Sequence, residues 1–186
     1  MTSSADGIVP DTKNWTWVLE RPCPECGLNP RDITPEQVAG LLRAATASWQ
    51  DVLTGAVDVP GGVTARPDPA TWSPLEYGCH VRDVFRVFDG RLQLMLAEVD
   101  PLFSNWDQDQ TAVEDRYGKQ DPATVAAELA EAGAVIADRF AGVTGDQWER
   151  TGSRDDGSQF TVTTFARYLL HDAVHHLYDV TGVRTT

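Results

Sequence analysis

Two places in this 186-residue chain carry a complete helix-start signal, each followed by about twenty residues of helical hydrophobic spacing. In T-P-E-Q, Thr34 is the N-cap, Pro35 suits the first helical position, and Gln37 closes a capping box. Val38, Leu41, Leu42, Ala45, Trp49, Val52 and Leu53 then recur at helical intervals, predicting a helix over about 35–54. S-P-L-E repeats the signal at Ser73, Pro74 and Glu76, and its helix should run to about Val99. Tyr77, His80, Val84, Val87, Leu94 and Met95 share one stripe of it, with Arg82, Arg86, Asp89 and Gln93 opposite, so His80 faces inward.

Asp121-Pro122 opens a third helix to about Phe140. A last one begins after Thr161 and stops at Gly182. Before it, a short turn at 144–148 and a hairpin or loop centred on Asp156-Gly157 are expected. Residues 100–120 form a long polar connection with embedded aromatics, of the kind that covers a site. The prediction is all-α: a four-helix bundle at 32–186, with a long connection between helices 2 and 3, preceded by an irregular segment at 1–31 anchored by Trp15, Trp17, Val18 and Leu19.

A net charge of −13 opposes phosphate backbones and anionic lipid, so neither nucleic acid nor a membrane is an expected partner. The opening M-T-S-S-A-D-G-I-V-P-D lacks an apolar run, and no stretch approaches the ~18 apolar residues of a membrane span. The expectation is a cytoplasmic protein acting on a small molecule, with a homodimer compatible. Scarce lysine and abundant Ala, Val, Gly, Asp and Arg suggest a bacterial genome of high GC content.

The chain has four histidines: His80, and three in the run H-D-A-V-H-H. Residues four apart on a helix lie about 40° apart around its axis, so His171 and His175 point the same way, while His176 falls about 140° from His171. If the second and last helices are neighbours, His80, His171 and His175 converge. Three protein ligands with an open position mark a catalytic rather than a structural zinc centre. The competing reading is buried histidines satisfied by hydrogen bonds. Asp83, one turn from His80, could orient a ligand ring, as could Asp172 and His176, which share one edge of the last helix; helix pairing or solvation explains all three equally. Tyr168 and Tyr178 border the histidine face as pocket candidates, with core packing the alternative.

Cys23-Pro24-Glu25-Cys26 is a C-x-x-C without the strand-then-helix context of a thioredoxin-like motif. A zinc knuckle would need two further ligands, of which Cys79 supplies at most one. A redox pair, a second metal site or plain packing thiols remain open for Cys23 and Cys26.

W-S-P-L-E-Y-G-C-H-V-R-D-V at 72–84, F-T-V at 160–162 and Y-L-L-H-D-A-V-H-H at 168–176 together resemble the DinB/YfiT-like metalloenzyme superfamily over nearly the whole chain. The resemblance implies a four-helix bundle with His80, His171 and His175 as ligands of a divalent metal, zinc first, with nickel, iron or manganese as the others. It also implies relatives such as mycothiol-dependent maleylpyruvate isomerase and bacterial thiol S-transferases. The expected activity is therefore a thiol transferase or isomerase that uses a low-molecular-weight thiol on a small electrophile. A non-catalytic, redox-responsive metal module built on Cys23 and Cys26 is the alternative.

Overall fold

The computed structural model describes residues 14–185, so the opening M-T-S-S-A-D-G-I-V-P-D lies outside the described residues. Four long helices make the bundle: α1 (Pro35–Leu53), α2 (Pro74–Ala97), α4 (Pro122–Ala141) and α5 (Val162–Thr181), with a short α3 (Gln108–Glu114) between the second and third of them. Both expected capping boxes form, at Thr34/Gln37 and Ser73/Glu76, and Asp121 and Thr161 cap α4 and α5. Gly182 ends α5 in the left-handed conformation at φ 68°, which a residue with a Cβ adopts only at a cost.

α1 and α2 each pack against both α4 and α5, which places α4 and α5 at opposite corners of the bundle. Trp49, Leu42, Phe85, Leu92, Leu129, Ile136 and Leu169 fill the interior. Trp49 also donates its indole N–H to the Ala173 carbonyl at 3.0 Å, tying α1 to the middle of α5. α1 and α4 approach closely at Gly133, where a Cβ would overlap the Thr46 side chain.

The connection over 100–120 is more ordered than its polar sequence suggests. It holds β1 (Leu102–Phe103), α3 and a 3-10 turn at Tyr117–Lys119. β1 pairs in parallel with β2 (Thr151–Arg154), and β2 pairs antiparallel with β3 (Gln159–Thr161), so the segment expected as a hairpin or loop is a hairpin. This three-stranded sheet caps the bundle beside the start of α5. The described part of the N-terminal segment forms two 3-10 turns, Trp15–Leu19 and Pro30–Asp32, with Val18 fully buried. No helix among the described residues is long and apolar enough to cross a membrane.

One expectation about α2 is reversed. Arg82 belongs to the polar side by periodicity, yet it is 3% exposed, because α4 and the Tyr117 turn pack on that side. Its guanidinium grips Asp83 through two 2.9 Å hydrogen bonds and reaches Gln120 and Glu128 at 2.8 Å. Asp83 accepts a further hydrogen bond from the Tyr117 hydroxyl at 2.6 Å. Asp83 therefore serves this network and makes no hydrogen bond to His80, contrary to the orienting role considered for it. Burial pushes its carboxyl up, but the hydrogen bonds from Arg82 and Tyr117 and the charges of Arg82 and Arg86 outweigh that and hold it below its ordinary value.

Two predictions follow from this packing. Gly133→Ala should destabilise the chain by about 1–3 kcal/mol in urea unfolding, the usual cost of overpacking, and a neutral effect would contradict the close α1/α4 approach. Asp83→Asn should cost about 3–5 kcal/mol at pH 7 by leaving Arg82 buried without its carboxylate. Because the folded carboxyl titrates below its unfolded value, its contribution is present above about pH 4 and fades as pH falls through the folded pKa. Unfolding followed against pH should thus show the wild type and Asp83→Asn converging in acid, and a constant gap would contradict the assignment.

Candidate metal centre

α5 carries five polar residues within nine positions: His171, Asp172, His175, His176 and Asp179. The 100° step between successive helical residues splits them onto two edges. His171 and His175 stack side by side, ring centroids 5.1 Å apart, and face the N-terminal segment. Trp15 tilts over both rings, at 5.5 and 4.7 Å. Asp172 and His176 lie on the edge that meets α2, where His176 packs 5.0 Å from His80 in an edge-to-face arrangement.

The histidines expected to converge therefore fall into two clusters. In the first, one donor atom from each of His80, Asp172 and His176 lies within 4.8 Å of the others. In the second, the same holds for Cys23, Cys26, His171 and His175, all four buried. The expected trio of His80, His171 and His175 is thus divided, because α2 meets the Asp172/His176 edge of α5 and not the His171/His175 edge. His176, set aside by its angle from His171, is the residue that faces His80.

In the first cluster His80 is 1% exposed and clamped between aromatic rings. Trp106 stacks on it at 5.7 Å and an interplanar angle of 9°, and Trp72 tilts against it at 5.5 Å. The expected cover over the site is thus supplied by the 100–120 connection. His80 Nε2 sits 3.7 Å from Asp172 Oδ1, too long for a hydrogen bond. It is close to the roughly 3.5 Å that separates neighbouring ligand atoms on one first-row metal. Neither His80 Nδ1 nor Asp172 Oδ1 has a hydrogen-bond partner, although both atoms are buried. Burial pushes the Asp172 carboxyl up, and the contact from His80 with the charge of the surrounding histidines overrides this and holds it at about 2. It is thus an ionised carboxylate at neutral pH. Asp179 accepts from His176 Nδ1 at 2.9 Å and fixes that ring.

In the second cluster Cys23 Sγ lies 3.7 Å from His175 Nδ1, and His171 Nε2 is buried without a partner. His175 turns its other nitrogen toward Glu25 at 3.5 Å and Asp179 at 3.7 Å, the carboxylate backing typical of a ligand imidazole. Burial, with the neighbouring His175 adding to it, pushes His171 down to about 4, and burial likewise lowers His175. Both rings are therefore neutral near pH 7, the form that binds metal. Burial pushes the Cys26 thiol up to about 11, against a hydrogen bond from the Leu28 N–H. All three cysteines are buried and free of disulfide bonds.

A cavity of about 490 Å³ opens beside both clusters. Trp15, Trp72, Tyr77, Trp106 and Tyr168 give it aromatic walls, and Glu25, Asp107, Asp109, Asp172 and Asp179 make it acidic. Arg154, whose guanidinium lies 5.8 Å over the Tyr168 ring, is the one Lys or Arg side chain lining it among the described residues. Tyr168 thus reaches the pocket as one of the two tyrosines singled out in the sequence. Tyr178 packs 6.2 Å from His175 and is absent from the lining.

Sequence reasoning overlooked Asp179, which contacts both clusters, and the union of the C-x-x-C with His171 and His175. A signal for the second was available. C-x-x-C and H-x-x-x-H are the two halves of a Cys2His2 zinc site, disguised by the long stretch of chain between them.

No curated protein matches the chain. Its fold is shared with YfiT from Bacillus subtilis, described as a probable metal-dependent hydrolase with an unusual four-helix bundle topology. The TM-score is 0.70 at 17% identity, covering 80% of this chain and 86% of that one. The family model of the DinB superfamily matches residues 47–180, which take in His80 and every polar residue of α5 described above, and the chain belongs to that superfamily.

Proposed function

We propose that the chain is a metal-dependent enzyme that joins a low-molecular-weight thiol to a small electrophile, or isomerises such a substrate through the thiol, at a centre formed by His80, Asp172 and His176. The observation that carries this reading is the pairing of three convergent donors, among them the buried and unpartnered Asp172 Oδ1, with a cavity able to hold a small molecule. Two imidazoles and one carboxylate leave ligand positions open, as catalytic sites do. A divalent metal held there, zinc by preference, supplies Lewis acidity and keeps a thiol as its reactive thiolate at neutral pH.

The chain's own residues supply the rest. Asp179 orients His176 through its Nδ1 and keeps the ring turned toward the cluster. Trp72 and Trp106 sandwich His80, exclude water from it and lower the local dielectric. The acidic lining disfavours an anionic substrate and suits a neutral, hydroxyl-rich one, whose O–H groups can donate to Asp107, Asp109 and Asp179 while its apolar faces lie on the tryptophans. A mycothiol-type cosubstrate has that character. Arg154, held by Asp156 at 2.6 Å, brings a guanidinium to the cavity wall.

The test is conjugation of an activated aryl halide by the zinc-loaded chain, with mycothiol, glutathione, cysteine or water as nucleophile. Thiol-dependent turnover should fall about 100-fold or more in Asp172→Asn and in His176→Ala, a loss of about 2.7 kcal/mol in transition-state stabilisation. Unchanged turnover in both variants would overturn the site, and equal turnover without any thiol would overturn the choice of nucleophile.

A further inference from the structure

The C-x-x-C loop takes no part in that chemistry, yet it is built with care. Cys23 and Cys26 are 1% and 0% exposed, although Pro24 and Glu25 between them are on the surface. The loop is closed by Gly27 N–H to Cys23 O at 3.0 Å and Cys23 N–H to Leu28 O at 2.9 Å, while the Leu28 N–H donates to the Cys26 sulfur. The C-terminal tail fastens it from outside. Thr185 N–H donates to Cys26 O at 2.8 Å and Arg184 donates to Pro24 O at 2.8 Å. Gly27 is required here, since at φ 84° a Cβ would lie 2.7 Å from Thr185 O.

Beneath this loop two imidazoles present nitrogen to two sulfurs, with all four donor atoms within 4.8 Å of one another. Simple packing of reduced thiols leaves His171 Nε2, on a side chain 3% exposed, without a partner. A disulfide between the cysteines leaves it equally so. A tetrahedral cation uses every donor. We infer that Cys23, Cys26, His171 and His175 form a closed zinc site, separate from the centre at His80, that staples the N-terminal loop to α5.

Two thiolates and two imidazoles in tetrahedral array select zinc among the common divalent ions. Filling the site forms two Zn–S and two Zn–N bonds and releases the two thiol protons to solvent. The thiolates then balance the charge of the ion, and the filled site is neutral, as its burial requires. With four protein ligands it has no open position for substrate. Its contribution is architectural: it holds Trp15 across His171 and His175 and Glu25 against His175, and so fixes one wall of the cavity. The inference does not depend on the reaction proposed above.

The test is cobalt substitution of the full chain under reducing conditions. Thiolate-to-cobalt charge transfer in the near ultraviolet is expected in the wild type and in a His80→Ala/His176→Ala variant, where it should accompany intense tetrahedral visible bands, and the charge-transfer band should vanish in Cys23→Ser/Cys26→Ser. Persistence of the charge-transfer band in the double serine variant, or its absence from the wild type, would overturn the site. Should the serine variant not fold, a Cys79→Ala chain answers the same question. Titrating its remaining thiols with an organomercurial should release about one equivalent of zinc in step with thiol modification. Thiols that titrate with no zinc release, or isolation of the native chain with a Cys23–Cys26 disulfide that takes up no zinc on reduction, would refute the inference.

Discussion

The burial of polar donors along α5 without hydrogen-bond partners is the constraint around which the rest of the structure is arranged. A buried nitrogen or carboxylate oxygen left unpaired costs about 1–3 kcal/mol, more for a charged group, and His171 Nε2 and Asp172 Oδ1 are two such atoms on this helix, one in each cluster. A helix bundle of this size tolerates that only where something else is gained. The surroundings point to cations as the compensation. The imidazoles of His171 and His175 are kept neutral by burial, Asp172 is kept ionised, and carboxylates stand behind His175 and His176.

Asp179 links the two clusters. One oxygen accepts from His176 at 2.9 Å and the other lies 3.7 Å from His175, so a single carboxylate near the end of α5 backs a ring on each edge. A change in one cluster that rotated its ring would be felt by the other through this residue. The arrangement also explains why H-D-A-V-H-H serves the fold better than a single H-x-x-x-H. The adjacent histidines 175 and 176 diverge by about 100°, and divergence is what lets one helix address the N-terminal loop and α2 at once.

The four long helices were legible because their signals are local. T-P-E-Q and S-P-L-E each satisfy helix-end donors within four residues, and the apolar spacing that follows needs only one chain segment to be read. The division of the histidines was not legible, because it depends on which edge of α5 meets α2, a relation between segments about ninety residues apart. The inward angle of His171 and His175 was read correctly, and what they face was not. Arg82 was misplaced for the same reason: periodicity counts a polar side without knowing that α4 and Tyr117 arrive there bringing Glu128 and Gln120. The acidic, aromatic cavity likewise draws residues from the N-terminal turn, the 70–77 stretch, α3, β2 and α5, and no sequence window contains it.

The central claim is that α5 serves two separate metal centres. Anomalous scattering at the zinc edge from a crystal of the zinc-loaded chain tests it most directly. The account predicts two peaks, one within bonding distance of Cys23, Cys26, His171 and His175, and the other of His80, Asp172 and His176. A single peak shared by His80, His171 and His175, with Cys23 and Cys26 unligated, would contradict it.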